Sequence, residues 1–401
     1  MTSVLLTFLG RTPKSEQGYR RTRYDFGDGT ETNPVAFFGW TLQERIRPDR
    51  IVILGTAGSM WDHLLEGDFD LGDAAEEQRL ALAEKVEQQQ AGEAELASIE
   101  PLLAERLGCA VRLRLIPYCR GKAEQAELLG ILADSVNPGD TVELDVTHGF
   151  RHLPMLGLLS ALHLRKVHGA AITHIWYGAF DPDTGKAPVH DLAGLIDIAD
   201  WLDALSVYQH TGDYGVFAEL LGGEVGELLA EASFLEAVNR IGQARSRLRK
   251  VLEQIDAIPE DPALSLFVGE LRRRISWAEG DNYYLRQREL AREYLHRERY
   301  LDAILTGWEA FTTLLQREAG GTLDPDNHEH REAMRQRFDS EQRALRPRDR
   351  WEAFDSLRRL RNAVAHGSQP KGEEVQRALG SAEAMRKLLL QLFEQLLPES
   401  P

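Results

Sequence analysis

The chain has 401 residues, 43% hydrophobic and 28% charged, with a formal net charge of −17. It is long and apolar enough for two buried cores, and too acidic to be coated along its length by nucleic acid. No apolar run reaches about 18 residues, and Met1 to Gly10 lacks the basic, apolar and small-residue succession of an export signal, so no membrane span and a cytoplasmic location are expected. Two cysteines, Cys109 and Cys119, are too few for a disulfide framework or a metal cluster.

In chain order, short apolar runs at Val4–Leu9, Ile51–Leu54, Val111–Ile116, Thr141–Val146 and Thr173–Tyr177 alternate with helix-like stretches. That alternation predicts a parallel sheet covered by helices. Between the second and third runs, Glu76–Leu107 reads as one or two long helices. Asp181-Pro182-Asp183-Thr184-Gly185 is a strong turn signal, so Ile175–Phe180 and Ala187–Leu192 are expected to form a hairpin that closes the domain. After Ile196 the strand signals stop. Helical periodicity then marks Ile198–Tyr208, Val216–Ala230, Phe234–Ile255, Ala263–Glu279, Tyr284–Glu298, Tyr300–Glu318, Arg331–Arg337, Trp351–His366 and Glu373–Leu397. The expected organisation is an α/β Rossmann-like domain over 1–195, a linker helix over 196–215 and an all-α domain over 216–401.

Ligands of open α/β sheets bind at the loops beyond the carboxyl ends of the strands. Three such loops carry chemistry. Gly10-Arg11-Thr12 follows the first strand. Gly55-Thr56-Ala57-Gly58-Ser59-Met60-Trp61 follows the second; its small residues expose amides, but it matches neither G-x-G-x-x-G nor G-x-x-x-x-G-K-[ST], which disfavours a dinucleotide or nucleoside triphosphate. Asp145-Val146-Thr147-His148-Gly149-Phe150-Arg151 gathers an acid, a hydroxyl, an imidazole, a glycine and a guanidinium in one strand-to-helix turn. That set suits a polyhydroxylated, phosphate-bearing ligand; a capped βα turn is the plain alternative. Trp61 has two readings, base stacking and core packing.

The second half ends a helix with Arg361-Asn362-Ala363-Val364-Ala365-His366 in front of Gly367-Ser368-Gln369-Pro370, a good helix stop. The dipole at a helix C-terminus favours an imidazolium at His366. Arg361 and His366 lie about 140° apart on an ideal helix, so one helix alone does not form a compact pair and a second chain could complete a site. From Arg331 to His366 there are ten arginines against six acidic residues; a local basic surface can bind RNA inside an acidic protein, and ordinary solvated helix faces are the plain alternative. Arg358 and Arg359 are the candidate RNA-backbone contacts. Asn327-His328-Glu329-His330 reads as a solvated loop, and no metal site is expected.

The phrases Leu6-Thr7-Phe8-Leu9-Gly10, Ile53 to Trp61 and Asp145-Val146-Thr147-His148-Gly149 resemble the D-x-T-H-G family of type III CRISPR accessory proteins. The resemblance implies a CRISPR-associated Rossmann fold (CARF) domain that binds cyclic oligoadenylate across a homodimer. Carried over, Gly10, Arg11, Thr12, Gly55, Ser59, Met60, Thr147, His148, Gly149 and Arg151 are the candidate ligand contacts. Of these only Thr147 to Gly149 match a named motif. Arg361, Asn362 and His366 resemble the R-x4-6-H motif of HEPN ribonucleases, with the polar residue after the arginine that the family prefers.

Together the two resemblances imply a metal-independent endoribonuclease of antiviral defence. It would cleave single-stranded RNA to 2′,3′-cyclic phosphate ends, with cyclic oligoadenylate as its allosteric activator, tetra-adenylate favoured over hexa-adenylate. Arg361 would hold the phosphate, His366 move the proton and Asn362 orient them, in a homodimer or higher oligomer that uses no cofactor. The alternative is a non-catalytic nucleotide-sensing signalling or dimerisation protein.

Overall fold

A computed structural model describes residues 2–15, 18–29, 32–66, 73–149, 152–257, 262–280, 282–320, 327–345, 348–369 and 372–399. The chain divides into two compact units, residues 1–198 and 199–401.

The first unit is built on strands β1 (Ser3–Leu9), β2 (Lys14–Ser15), β3 (Gly18–Tyr19), β4 (Arg23–Asp25), β5 (Arg50–Gly55), β6 (Ala110–Leu115), β7 (Thr141–Asp145), β8 (Ala171–Gly178) and β9 (Lys186–Asp191). Seven of them form one sheet in the order β4-β9-β8-β7-β1-β5-β6. The pairs from β8 through β6 are parallel, and β9 joins antiparallel to β8 across the Asp181–Gly185 turn. The chain builds outward from β1 to β5 and β6, then returns to place β7 on the other side of β1. That reversal opens a crevice at the carboxyl ends of β1 and β7.

The central strands are buried on both faces, which is why they read as unbroken apolar runs. In β1, Leu5 and Leu9 point to a core shared with α1 (Phe38–Ile46), α2 (Asp73–Glu87) and α3 (Glu93–Leu107). Val4, Leu6 and Phe8 point to the opposite core, filled by α4 (Lys122–Asp134) and α5 (Leu153–His163). The Glu76–Leu107 stretch is two helices. The break comes where Gln89 adopts φ +56° and Glu95 accepts the Gly92 N–H at 3.1 Å to start α3. The short edge strands β2, β3 and β4 carry no periodic signal of their own.

The second unit is helical throughout its described residues: α6 (Gly194–Thr211) leads into α7 (Ala218–Leu221), α8 (Gly223–Ala237), α9 (Ile241–Gln254), α10 (Pro262–Ile275), α11 (Tyr283–His296), α12 (Tyr300–Glu318), α13 (His328–Arg343), α14 (Asp349–His366), α15 (Glu373–Gly380) and α16 (Ala382–Leu396). Several expected helices differ for local reasons, among them Val216–Ala230, which is cut at Gly222 with φ +63° and resumes as α8 to Ala237. Phe234–Ile255 is cut where Asn239 turns left-handed, and Glu373–Leu397 where Ser381 caps α16 by accepting the Ala384 N–H. The expected Arg331–Arg337 helix is longer at both ends and begins at His328, because the Asn327 side chain accepts the N–H groups of Glu329 and His330. The core gathers Phe311 of α12, Phe338 of α13, Phe354 of α14 and Phe393 of α16, with Trp308 stacked on Phe354 at 5.3 Å. Among the described residues no helix is long and apolar enough to cross a membrane.

Candidate functional site

At the crevice of the first unit the loops after β1, β5 and β7 converge. Gly10 is buried against Gly149: a Cβ at Gly10 would lie 2.6 Å from the Gly149 nitrogen. Gly149 itself holds φ +115°, a conformation that other residues rarely adopt. The β5 loop is fastened within itself. The Ser59 hydroxyl accepts the Thr56 N–H at 2.9 Å, and the Met60 N–H reaches back to the Gly10 carbonyl at 3.0 Å. Together they wall a cavity of about 250 Å³ whose lining includes Gly10, Arg11, Thr56, Gly58, Ser59, Gln89, Tyr118 and Gly149.

Of the expected ligand contacts, Gly10, Arg11, Ser59 and Gly149 line this cavity. Gly55 and Met60 are buried beside it, and the Thr12 hydroxyl donates to the Met60 sulfur at 3.6 Å. Arg151 lies outside the described residues. Arg11 is paired with Glu87 of α2 at 2.7 Å. Trp61 is fully buried, its indole N–H donating to the Thr56 carbonyl at 2.8 Å, and so holds the loop from beneath. Thr56, Gly58, Gln89 and Tyr118 were not singled out in sequence. The first two sit in the amide-rich loop already flagged; Gln89 and Tyr118 arrive from the segments that follow α2 and β6 by tertiary packing.

The acid, hydroxyl and imidazole of Asp145-Val146-Thr147-His148-Gly149 turn into the protein. Asp145 accepts the Thr7 hydroxyl at 2.6 Å and the Thr147 N–H at 2.8 Å. Complete burial raises its carboxyl to about 6, against the lowering effect of those bonds. The Thr147 hydroxyl accepts the Gly178 N–H at 2.8 Å. His148 Nε2 accepts the Phe38 N–H at 3.0 Å, with the Tyr24 hydroxyl 3.3 Å away. Burial lowers this imidazole to about 4, so it stays neutral and ties the loop to the start of α1. These three side chains set the position of Gly149; its exposed backbone is what the cavity receives.

In the second unit α14 buries Phe354, Leu357, Leu360 and Ala363 along one stripe. Gly367, in the left-handed conformation, closes the helix with its N–H on the Ala363 carbonyl. That stripe turns Arg361 and Asn362 toward a cavity of about 320 Å³ lined also by Trp308, His328, Glu332, Arg335, Asp339 and Arg358. Arg361 donates to the Asn362 side-chain oxygen at 3.0 Å, and its Nε is buried without a partner among the described residues. Arg335 is held by Glu332, and Arg358 by Asp355 and Asp339. Arg359 pairs with Asp355 at 2.5 Å. Arg358 and Arg359, expected on RNA, are thus engaged by carboxylates, a pattern the i+3 and i+4 spacing from Asp355 carries in the sequence. His366 is exposed at the helix end and does not line the cavity. His328, expected in a solvated loop, opens α13 on the cavity's rim; the capping Asn327 was the available signal. Among the described residues no group of three or more His, Cys, Asp or Glu side chains is placed to hold a metal ion.

Residues 4–181 match the family described as the CARF domain of the CRISPR system endoribonuclease Csx1. A CRISPR-associated protein of Methanocaldococcus jannaschii is 26% identical over 285 residues, which are 64% of this chain and 44% of the relative, so the chain spans less than half the length of the curated relative it matches. The solved structure of Enterococcus italicus Csm6 bound to cyclic hexa-2′-fluoro-hexa-dAMP aligns over 98% of this chain and 95% of that one, at 12% identity and a TM-score of 0.40, a likeness too slight to build on. The family match coincides with the unit whose three strand-end loops form the cradle, and the N-terminal unit is accordingly a CARF domain similar to that of Csx1.

Proposed function

We propose that the chain is a cytoplasmic, homodimeric effector of type III CRISPR antiviral defence, in which cyclic oligoadenylate at the CARF cradle activates a metal-independent endoribonuclease of the HEPN type in the helical unit. One observation carries the catalytic half: Arg361 and Asn362 are joined by a hydrogen bond, line one cavity, and sit on the helix that ends in His366. The Csx1 family description, an endoribonuclease, supports the same reading.

RNA brings its own nucleophile, so the protein has only to align the 2′-hydroxyl, move protons and stabilise charge on the phosphorane. The Arg361 guanidinium, with Nε unengaged, suits a scissile phosphate, and Asn362 holds it in place. His366 moves a proton at the reacting oxygens, and the products end in a 2′,3′-cyclic phosphate. In the first unit, exposed backbone at Gly149, the amides of the Gly55–Ser59 loop and Arg11 suit the phosphates of a cyclic tetra-adenylate, favoured over the hexa-adenylate. Activation requires that this ligand bind the cleaving state more tightly than the resting one. Cleavage of single-stranded RNA by the purified chain, with and without the cyclic nucleotide, tests the reading.

A further inference from the structure

The cavity beside Arg361 holds an imidazole that the R-x4-6-H pattern does not contain. His328 stands on its rim, exposed, as the first residue of α13. The charged groups that face the same cavity are Glu332, Arg335, Asp339, Arg358 and Arg361. Glu332 is committed to Arg335, and Asp339 accepts from both Arg358 and the Trp351 indole. Among the described residues no hydrogen bond engages the His328 ring. Among the described residues it is the cavity's one imidazole, the side-chain type most often used for general acid–base work.

In-line displacement at phosphorus puts the attacking and departing oxygens on opposite sides, so a single imidazole cannot serve both in one step. The attacking 2′-oxygen adjoins the phosphate, and its base must therefore share the cavity with the guanidinium that holds that phosphate. His328 meets this condition. His366 lies outside the cavity, about 140° around the helix from Arg361.

We infer that His328 is the general base of the RNA-cleaving site, a proposal that rests on the nuclease reading above. His328 takes the proton of the 2′-hydroxyl as the O2′–P bond forms. The P–O5′ bond breaks, and the departing O5′ takes a proton from His366 of a second copy in the proposed homodimer, since the chain's own His366 lies outside the cavity. One proton is gained and one released, leaving a 2′,3′-cyclic phosphate and a 5′-hydroxyl.

The test uses the full chain with cyclic tetra-adenylate and, separately, hexa-adenylate, on a single-stranded RNA and on the same RNA with sulfur replacing one bridging 5′-oxygen, a leaving group that needs no acid. His328 is exposed, so H328A and H328N are expected to fold, as thermal unfolding would verify. The expected result is a loss of about a hundred-fold or more in both variants, restoration of H328A by added imidazole, and no restoration by the sulfur leaving group, which instead restores H366A. If the unaltered chain cleaves but the His328 variants cleave as fast, or H328A is restored by the sulfur leaving group, or imidazole has no effect and the pH profile is unmoved, the base assignment is overturned while the nuclease reading stands. If the unaltered chain cleaves nothing with either activator, the nuclease reading itself fails and takes this assignment with it.

Discussion

Arg361 gives one N–H of its guanidinium to the Asn362 side chain at 3.0 Å and keeps its buried Nε unpaired among the described residues. A buried donor without an acceptor is costly in a structural arginine and useful in one that receives an anion. Arg361→Ala is expected to lower RNA cleavage by about a hundred-fold or more, and Arg361→Lys by at least about tenfold because a point charge replaces a two-pronged donor. Thermal unfolding should move little in either. A rate within a factor of two for Arg361→Lys, measured on labelled RNA, would remove the proposed phosphate contact.

Gly10 and Gly149 make the cradle by close approach. A methyl group on Gly10 would lie 2.6 Å from the Gly149 nitrogen, and one on Gly149 would lie 2.3 Å from Leu153 Cδ1 at a φ of +115°. Each substitution to alanine is expected to destabilise the chain by roughly 1–3 kcal/mol and to weaken cyclic tetra-adenylate binding at least about tenfold by calorimetry, since the loops must part. Unchanged affinity in both would show that the ligand sits elsewhere.

Asp145 and His148 oppose each other in pH. Folding raises Asp145 from 3.8 to about 6, so its stabilising contribution is complete below 3.8 and is lost as pH rises through 6. Folding lowers His148 from 6.5 to about 4, so its contribution is complete above 6.5 and is lost as pH falls through 4. From pH 4 to 6 the two slopes nearly cancel. Relative to the unaltered chain, Asp145→Asn should gain thermal stability as pH rises from 4 to 6 and His148→Asn should lose it, each by at most about 1.4 kcal/mol per pH unit. Slopes of the same sign in the two variants would contradict the assignment.

Arg11 lines the cradle while paired with Glu87, whose carboxylate also lies 3.4 Å from Lys14. An anionic ligand must draw Arg11 from that partner. Glu87→Gln is therefore expected to tighten cyclic tetra-adenylate binding by a few-fold at low salt, the size of an exposed ion pair, and less at high salt. Weaker binding in this variant would mean that the pair positions Arg11 for the ligand rather than competing for it.

The doubly buried strands were legible because burial on both faces leaves apolar runs, and the three candidate ligand loops followed from where those runs end. The direction of the side chains was not. His148 faces inward because an amide 110 positions away, at Phe38, needs an acceptor, and Thr147 because Gly178 does. The R-N-x-x-x-H helix end was read from Gly367 and Pro370, yet the cavity beside it is completed by α12 and α13, elements whose approach no local pattern encodes. Asp355 with Arg358 and Arg359 is the exception, a helical ion-pair spacing present in the sequence.

The most direct measurement is activator-dependent cleavage by the purified full chain in the presence of EDTA, with the product ends identified. Cleavage of single-stranded RNA that rises with cyclic tetra- or hexa-adenylate, leaves 2′,3′-cyclic phosphates and disappears in His366→Ala is the predicted result. Tight binding of the cyclic nucleotide with no cleavage of any RNA, with or without divalent metal, would instead make the chain a non-catalytic sensor.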